Sequence, residues 1–327
     1  MTDESDAKPA AQVELDAQVK PGAQVKPAAK HKKSNALLNV MIAISAIAMI
    51  GALGLIAYPT FSDWWNRMHQ SYAVAGYVEQ TKDMSGAERK AMLKAAHEYN
   101  ERLAANGDRW HMTDAQKREY DETLDVTGTG IMGYVTIPRI KVKLPVYHGT
   151  SDGVLQIAAG HLTGTSLPVG GATTHAVVSG HTGLPSARLL TGLDELQKGD
   201  TFAFHVLDET YTYQVDQISV VLPSEISKLN IESGADYATL ITCTPYGVNS
   251  HRLLVRGHRI PNPKVPDKTQ YDEPGEMTAV AAAVIGLLVF VAGCAFVGLA
   301  RLWRRSWIVR HGLCAGAGAR HSSGVRG

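Results

Sequence analysis

The amino-acid sequence predicts a mostly β protein, in which short strands close into an antiparallel-rich barrel that follows a helical segment and lies between two apolar spans. From Ile131 onward the apolar residues recur at every second position, a pattern typical of half-buried strands. Gly, Pro and Asp residues separate the runs, and little helix is predicted between them. Closure into a barrel removes the exposed edges that an open sheet of such strands would have.

Individual alternating runs define the predicted strands. The first contains Ile140, Val142, Leu144 and Val146, which alternate with Lys141 and Lys143. The others cover residues 176–179, 201–207, 211–221, 237–242 and 252–259. One domain is therefore expected, with helices between residues 62 and 120 attached to it.

Helix starts are marked by two capping boxes, in which a hydroxyl and a side chain three residues later satisfy unpaired amides. These are Ser85-Gly-Ala-Glu88 and Thr113-Asp-Ala-Gln116. The first lies within a helical stretch at residues 62–105, and the second precedes a shorter helix. Between the two stretches, Asn106-Gly-Asp-Arg-Trp110 predicts a break with an exposed aromatic side chain.

Two uncharged apolar runs, Ala36–Tyr58 and Thr278–Ala300, predict transmembrane helices. Each exceeds the ~20 residues that a helix needs to cross a bilayer. Lysines precede the first run and arginines follow the second, whereas acidic residues flank the inner ends, so both termini are expected in the cytoplasm. Residues 62–277 would then lie outside the cell. The alternative for the first run is a cleaved signal peptide, but the run is long and lacks a clear small-residue cleavage site.

The predicted organisation has seven segments. They are a disordered cytoplasmic arm (1–35), a transmembrane helix (36–58), a helical segment (59–129), the catalytic barrel (130–262), a linker (263–277), a second transmembrane helix (278–300) and a basic cytoplasmic tail (301–327).

Several classes of function are disfavoured by the sequence. A net charge of +1 gives no indication of nucleic-acid binding. Gly128-Thr-Gly-Ile-Met-Gly133 resembles a dinucleotide fingerprint, but a strand follows it where a helix is required. No histidine pair or C-x-x-C motif with zinc-ligand spacing lies between the spans, so neither a metal nor another cofactor is expected.

Cys243 is the only cysteine between the two spans, within Thr239-Leu-Ile-Thr-Cys-Thr-Pro-Tyr-Gly-Val-Asn-Ser-His-Arg252. It follows an apolar strand, and the next strand begins at Arg252. If the two strands pair as a hairpin, the guanidinium of Arg252 lies near the thiol, where it can stabilise a thiolate or an oxyanion. The alternative is that Cys243 is a buried, inert residue and Arg252 a surface charge.

A cysteine nucleophile in acyl transfer also requires a proton donor for the leaving amine, usually histidine. His181 follows a short apolar strand directly, whereas His175 lies at the other end of that strand, roughly 20 Å away at ~3.3 Å per residue. His258 is too far along its strand from Arg252, and His251 would point to the opposite face. Strand geometry therefore favours His181.

These residues resemble those of a sortase, specifically the class C, pilin-polymerising group of Gram-positive bacteria. The resemblance covers residues 130–260. It rests on Gly133-Tyr-Val-Thr-Ile-Pro138, Leu144-Pro-Val-Tyr-His-Gly-Thr150, the run Gly160–Gly171, Ser179-Gly-His-Thr-Gly-Leu-Pro-Ser-Ala187 and the run Thr239–Arg259. It implies an eight-stranded sortase β-barrel and a catalytic set of His181, Cys243 and Arg252.

The resemblance also implies the reaction and its partners. The thiolate would attack the Thr-Gly bond of an LPXTG-type sorting signal on a pilin or surface protein, and a pilin lysine amine would resolve the thioacyl enzyme. Alternatives are a housekeeping-type sortase that anchors proteins to the cell wall, and a non-catalytic two-span ectodomain that binds a surface protein.

Class C sortases commonly carry an Asp-Pro-aromatic lid over the active site. The corresponding residues are Asp108, Arg109 and Trp110, so a lid formed by Asp108 and Trp110 is expected. Arginine in place of proline removes a fixed φ angle, which puts the rigidity of this lid in doubt. The alternative is that Trp110 only packs a connection between helix and barrel.

Overall fold

The computed structural model describes residues 36–264, 271, 282–283, 286–298 and 300–301. The predicted arm at 1–35, most of the linker at 263–277 and nearly all of the tail at 301–327 lie outside the described residues. The second predicted span is described only in part. Its described portion includes a short apolar helix, Gly286–Gly298.

Eight strands form a closed barrel in the order β1-β2-β3-β4-β7-β8-β6-β5, as the alternating pattern and the resemblance predicted. All neighbours are antiparallel except β2 with β3 and β4 with β7, which are parallel. The strands are β1 (Ile131–Ile137), β2 (Val142–His148), β3 (Ala159–His161), β4 (Thr174–Ser179), β5 (Thr201–Val206), β6 (Glu209–Val221), β7 (Asp236–Thr244) and β8 (His251–Arg259).

The first strand prediction needs correction at its start. Ile140 lies in a short 3-10 helix, Pro138–Ile140, and Lys141 adopts a left-handed conformation before β2 begins at Val142. The alternation of Ile140 with Val142 therefore continues across a tight turn, because both side chains reach the same core. β3, with three residues, is too short for its periodicity to be detected in the sequence.

Between residues 36 and 264 four α-helices accompany the barrel: α1 (Ala36–Asp83), α2 (Gly86–Ala105), α3 (Asp114–Glu122) and α4 (Asp152–Ile157). Both predicted capping boxes are present, at Ser85 before α2 and at Thr113 before α3. α1 combines the first predicted span and the following helical segment in one continuous helix, even though Pro59 lies within it. It is the one described helix that is long and apolar enough to cross a membrane.

The outer half of α1 is attached to the barrel by hydrogen bonds. The Tyr77 hydroxyl donates to the carbonyl of Met132 at 3.1 Å and accepts from the amide of Leu207 at 2.7 Å. Nearer the apolar end, Asn66 Nδ2 donates to the carbonyl of Ser186 and Asp63 accepts from the amide of Arg188, each at 2.8 Å. The loop between β4 and β5 is therefore held beside the apolar part of α1.

Two buried histidines, His161 and His175, stabilise the fold. Burial lowers the pKa of His161 and of His175 to about 4, so both rings are neutral at pH 7. His161 Nε2 lies 2.8 Å from the carbonyl of Ser166, and His175 Nδ1 lies 2.8 Å from that of Asn230. Each ring satisfies a buried carbonyl, which identifies these histidines as structural.

Candidate active site

β7 lies between β4 and β8, and its last residues have neighbours on both sides. On one side Cys243 is directly opposite Arg252, so the predicted hairpin pairing is observed. On the other side Ser179 is opposite Ile241. The thiol-bearing strand is therefore central, and residues from three adjacent strands can surround it.

His181 lies beside the end of β7, because the chain stays hydrogen-bonded to that strand after β4 ends. The amide of Gly180 donates to the carbonyl of Ile241 at 3.0 Å, and Thr242 Oγ1 donates to the carbonyl of Gly180 at 2.9 Å. In the parallel register of Ser179 with Ile241, two further residues bring His181 level with Cys243. His181, in the segment after β4, thus lies level with Cys243 on β7 and Arg252 on β8, and these three residues are here called the catalytic row after their predicted role.

The catalytic row lies on the outer face of the barrel. Successive strand residues alternate between faces, and Leu240 packs in the interior while Ile241 packs in a separate cluster outside. This outer cluster consists of Val177, Leu229, Ile241 and Leu254, with Trp110, Leu162 and Val221 packed against it. Three members of this cluster lie on the same face as the row, because each is an even number of residues away from a member of it. The pairs are Val177 with His181, Ile241 with Cys243, and Leu254 with Arg252. An apolar surface therefore lies directly beside the three polar side chains.

The guanidinium of Arg252 is held by the loop between β7 and β8. Its Nη1 donates to the carbonyls of Asn249 at 3.3 Å and His251 at 3.2 Å. Nε and Nη2 make no hydrogen bond with any residue that the structure describes. Arginine carries five donors in a fixed plane, so donors remain for a substrate carbonyl or an oxyanion.

The strand register places the types of side chain that nucleophilic acyl transfer needs next to one another. Cys243 is half-buried and is not in a disulfide. A histidine lies on one side and a permanently charged donor on the other, so proton transfer and oxyanion stabilisation are available at the same carbon. The structure therefore brings together the three residues that the sequence singled out, and their catalytic roles stay a prediction.

Trp110 is half-buried against the outer cluster, which corrects the expectation that its ring is exposed. It lies in the connection between α2 and α3, at the break that the sequence predicted. The backbone of Gly164 packs tightly against this connection. A Cβ atom at residue 164 would lie 2.6 Å from the carbonyl oxygen of Arg109, which is too close for a side chain to fit without a shift. The connection between α2 and α3 therefore covers the apolar surface beside the catalytic row.

Arg109, which sequence reasoning treated as a loss of rigidity, is the anchor of this connection. Its side chain is only 8% exposed. Nη1 donates to the carbonyl of Gly164 at 2.8 Å, and Nη2 donates to that of Leu229 at 2.9 Å and to Asn230 Oδ1 at 3.3 Å. Its Cζ also lies 4.3 Å from the centre of the Trp110 ring. Arginine thus replaces the conformational constraint of proline with charge-assisted hydrogen bonds.

Asp108, the other residue expected to form the lid, is exposed and interacts within its own segment. Its Oδ1 lies 2.7 Å from His111 Nδ1, and its backbone amide donates to Asn106 Oδ1 at 3.0 Å. No hydrogen bond joins Asp108 to the catalytic row within the described structure. The structure therefore brings Trp110 to the apolar surface beside the row but does not bring Asp108 to it.

Comparison with known proteins agrees with this geometry. The sequence model of the sortase domain matches residues 135–260. Sortase A of Streptococcus agalactiae serotype III is 29% identical over 117 residues, which is 35% of this chain and 47% of that protein. The chain thus spans about half the length of that curated relative.

Solved structures give longer matches. Sortase C1 from Streptococcus agalactiae is 51% identical, with a TM-score of 0.58, and the match covers 59% of this chain and all of that one. A sortase C from Clostridium perfringens, solved with the C-terminal cell wall sorting motif, is 40% identical with a TM-score of 0.52 and the same coverage. The chain therefore belongs to the sortase family of cysteine transpeptidases, and these solved relatives are class C members.

Proposed function

We propose that this chain cleaves an LPXTG-type sorting signal between Thr and Gly and joins the new carboxyl end to a lysine amine of a pilin. The observation that carries the proposal is the catalytic row, in which Cys243 lies opposite Arg252 and level with His181. The similarity to class C sortases supports the pilin substrate, and the relative solved with a sorting motif supports the signal.

Each member of the row has one role in this reaction. The Cys243 thiolate attacks the threonine carbonyl, and Arg252 stabilises the oxygen on which negative charge develops. His181 protonates the glycine amine as it leaves, and a thioacyl enzyme remains. In the second half-reaction His181 accepts a proton from the attacking amine, so one residue serves as acid and then as base.

The proposed setting is the outer face of a bilayer, with both termini in the cytoplasm and residues 62–277 outside. In the first span most of the described apolar side chains are exposed, including Ile47 at 69% and Leu55 at 77%, as expected for contact with lipid. Trp64 and Trp65 follow the span, where aromatic side chains favour the membrane interface. The second span, 278–300, is supported by its composition and by the apolar helix Gly286–Gly298.

The acceptor amine separates pilus assembly from the housekeeping alternative. The full chain in detergent is supplied with an LPXTG donor peptide and with two acceptors, Nα-acetyl-lysine amide and triglycine. We expect cleavage between Thr and Gly and an isopeptide product with lysine, identified by mass. A product with triglycine alone would assign the housekeeping function, and no cleavage of the donor would favour the non-catalytic ectodomain. A scrambled donor peptide is the control.

We also propose that residues 108–111 form a lid that is closed at rest. Trp110 occupies the apolar surface where the leucine and proline of a sorting signal would pack, and Arg109 holds it there. The substrate and the lid would then compete for the same surface.

Replacing the anchor should open this lid. In a chain that carries Cys294→Ala and Cys314→Ala, we expect Arg109→Ala to accelerate iodoacetamide labelling of Cys243 by about tenfold, because hydrogen bonds of a charged group contribute roughly 1.5–3 kcal/mol. Trp110→Ala should also accelerate labelling, and Asp108→Ala should do so less. Arg118→Ala, at an exposed position on α3, is the control. Equal labelling rates in Arg109→Ala and the parent would contradict an anchoring role.

A further inference from the structure

Two loops contact each other beside the catalytic row, on the side opposite the outer cluster. Gly183, two residues after His181, has a φ of +74°, and a Cβ there would lie 2.8 Å from Tyr246 Cε2. The ring of Tyr246 therefore lies directly on the Gly183 backbone. This contact joins the loop that follows His181 to the loop that follows Cys243.

Tyr246 contacts the backbone of Gly183 and is otherwise open. It is 71% exposed, although it is three residues from the thiol, and Val248 in the same loop is 69% exposed. A large aromatic residue left this open beside a reactive group has a surface available to a ligand.

The outer cluster and Tyr246 lie on opposite sides of the row, so each side suits a different part of the substrates. Along β7 the apolar Ile241 comes first, then Cys243, then Tyr246; along the β4 side the order is Val177, His181, Gly183. The apolar part of a sorting signal fits the side of the outer cluster. The leaving amine then departs on the side of Tyr246.

The attacking amine uses that same side. It approaches the thioacyl carbon from the position that the leaving amine vacated, because His181 must protonate the first amine and deprotonate the second. Tyr246 is therefore on the path of the acceptor and not of the acyl donor.

We propose that Tyr246 is the residue that binds the side chain of the acceptor lysine, and this inference rests on the proposed function. The methylene stem lies on the open part of the ring, and the charged amine is attracted to the ring face before it loses its proton. In the reaction the charged amine first gives one proton to solvent. The neutral nitrogen then forms a bond to the thioacyl carbon, the bond from that carbon to Sγ breaks with its electron pair left on the thiolate, and the second amine proton passes to His181. Tyr246 positions the amine and takes no part in proton transfer.

The test compares a lysine acceptor with one too small to reach the ring. The full chain receives an LPXTG donor peptide with either Nα-acetyl-lysine amide or hydroxylamine, and the ratio of aminolysis to hydrolysis is measured. For Tyr246→Ala we expect this ratio to fall roughly two- to fivefold with lysine, as expected for loss of an exposed cation–π contact, and to stay unchanged with hydroxylamine. Tyr246→Phe keeps the ring and should retain the lysine ratio.

An equal fall with both acceptors would overturn the inference, because Tyr246 would then act only by supporting the loop of His181. An unchanged lysine ratio in Tyr246→Ala would also overturn it. If the parent protein does not cleave the donor at all, the proposed function fails and the inference fails with it. Cleavage by the parent with no effect of Tyr246→Ala rejects the inference alone.

Discussion

Cys243→Ala is expected to abolish cleavage of an LPXTG peptide, with a fall in rate of at least about 10³-fold, while the protein remains folded. The thiol is half-buried on the outer face of β7, away from the interior, so its loss creates no cavity in the barrel core. The thermal unfolding midpoint should therefore match that of the parent. The measurement is the initial rate of release of a fluorescent fragment from the donor peptide.

A second cysteine in the chain provides the matched control. Cys294 lies in the short apolar helix of the second predicted span and is exposed there. Cys294→Ala should leave the cleavage rate unchanged. Cleavage by Cys243→Ala at a rate near that of the parent would exclude a thioacyl mechanism.

His181→Asn is expected to lower the rates of both half-reactions by about 10³-fold, within the range that general acid–base catalysis contributes. The expected cause is the loss of the proton donor for the leaving glycine amine and of the proton acceptor for the attacking lysine. Separate measurement of thioacyl formation and of aminolysis should show both losses. A loss confined to one half-reaction would mean that another group serves the other step.

Two other histidines distinguish a chemical effect from a structural one. His251 pairs with Thr244 next to the catalytic row but lies on the opposite face of β8 from Arg252, so His251→Asn should keep near-parental rates. His175 is buried and holds the carbonyl of Asn230, so His175→Asn should lower the unfolding midpoint. If His181→Asn lowered the midpoint as much as His175→Asn does, its effect on rate would be structural.

The catalytic row could be predicted from the sequence because each member is tied to a strand end. Cys243 and Arg252 are joined by a single loop at residues 245–250, so hairpin pairing was enough to bring them together, and the observed register is this pairing. For His181, the length of one strand disfavoured His175, and the family resemblance added to that preference. Local spacing carries this information, since strands advance by a fixed distance per residue.

The packing of the connection between α2 and α3 over the outer cluster could not be predicted in the same way. Arg109 is held by the carbonyls of Gly164 and Leu229, which lie 55 and 120 residues away in the chain. Every residue has a backbone carbonyl, so no side-chain pattern marks these partners. The contact of Tyr246 with Gly183 has the same origin, because it depends on how two loops from different strands meet.

Helix boundaries were predicted where capping side chains mark them and not where they are absent. Ser85 and Thr113 show where α2 and α3 begin, and the structure has both capping boxes. The end of the first apolar run carries no such signal, and α1 continues from Ala36 to Asp83. The continuous helix places Asp63 and Asn66, just beyond the span, against the loop that follows His181.

The mass of the enzyme during turnover tests the central claim most directly. The full chain is mixed with an LPXTG donor peptide without an acceptor amine, quenched with acid and digested, and the peptide that contains Cys243 is analysed by mass spectrometry. We predict that it carries the donor sequence up to threonine as a thioester, that added lysine amide removes the adduct, and that Cys243→Ala shows none. Cleavage of the donor with no adduct on Cys243, or with the adduct on another residue, would contradict the account.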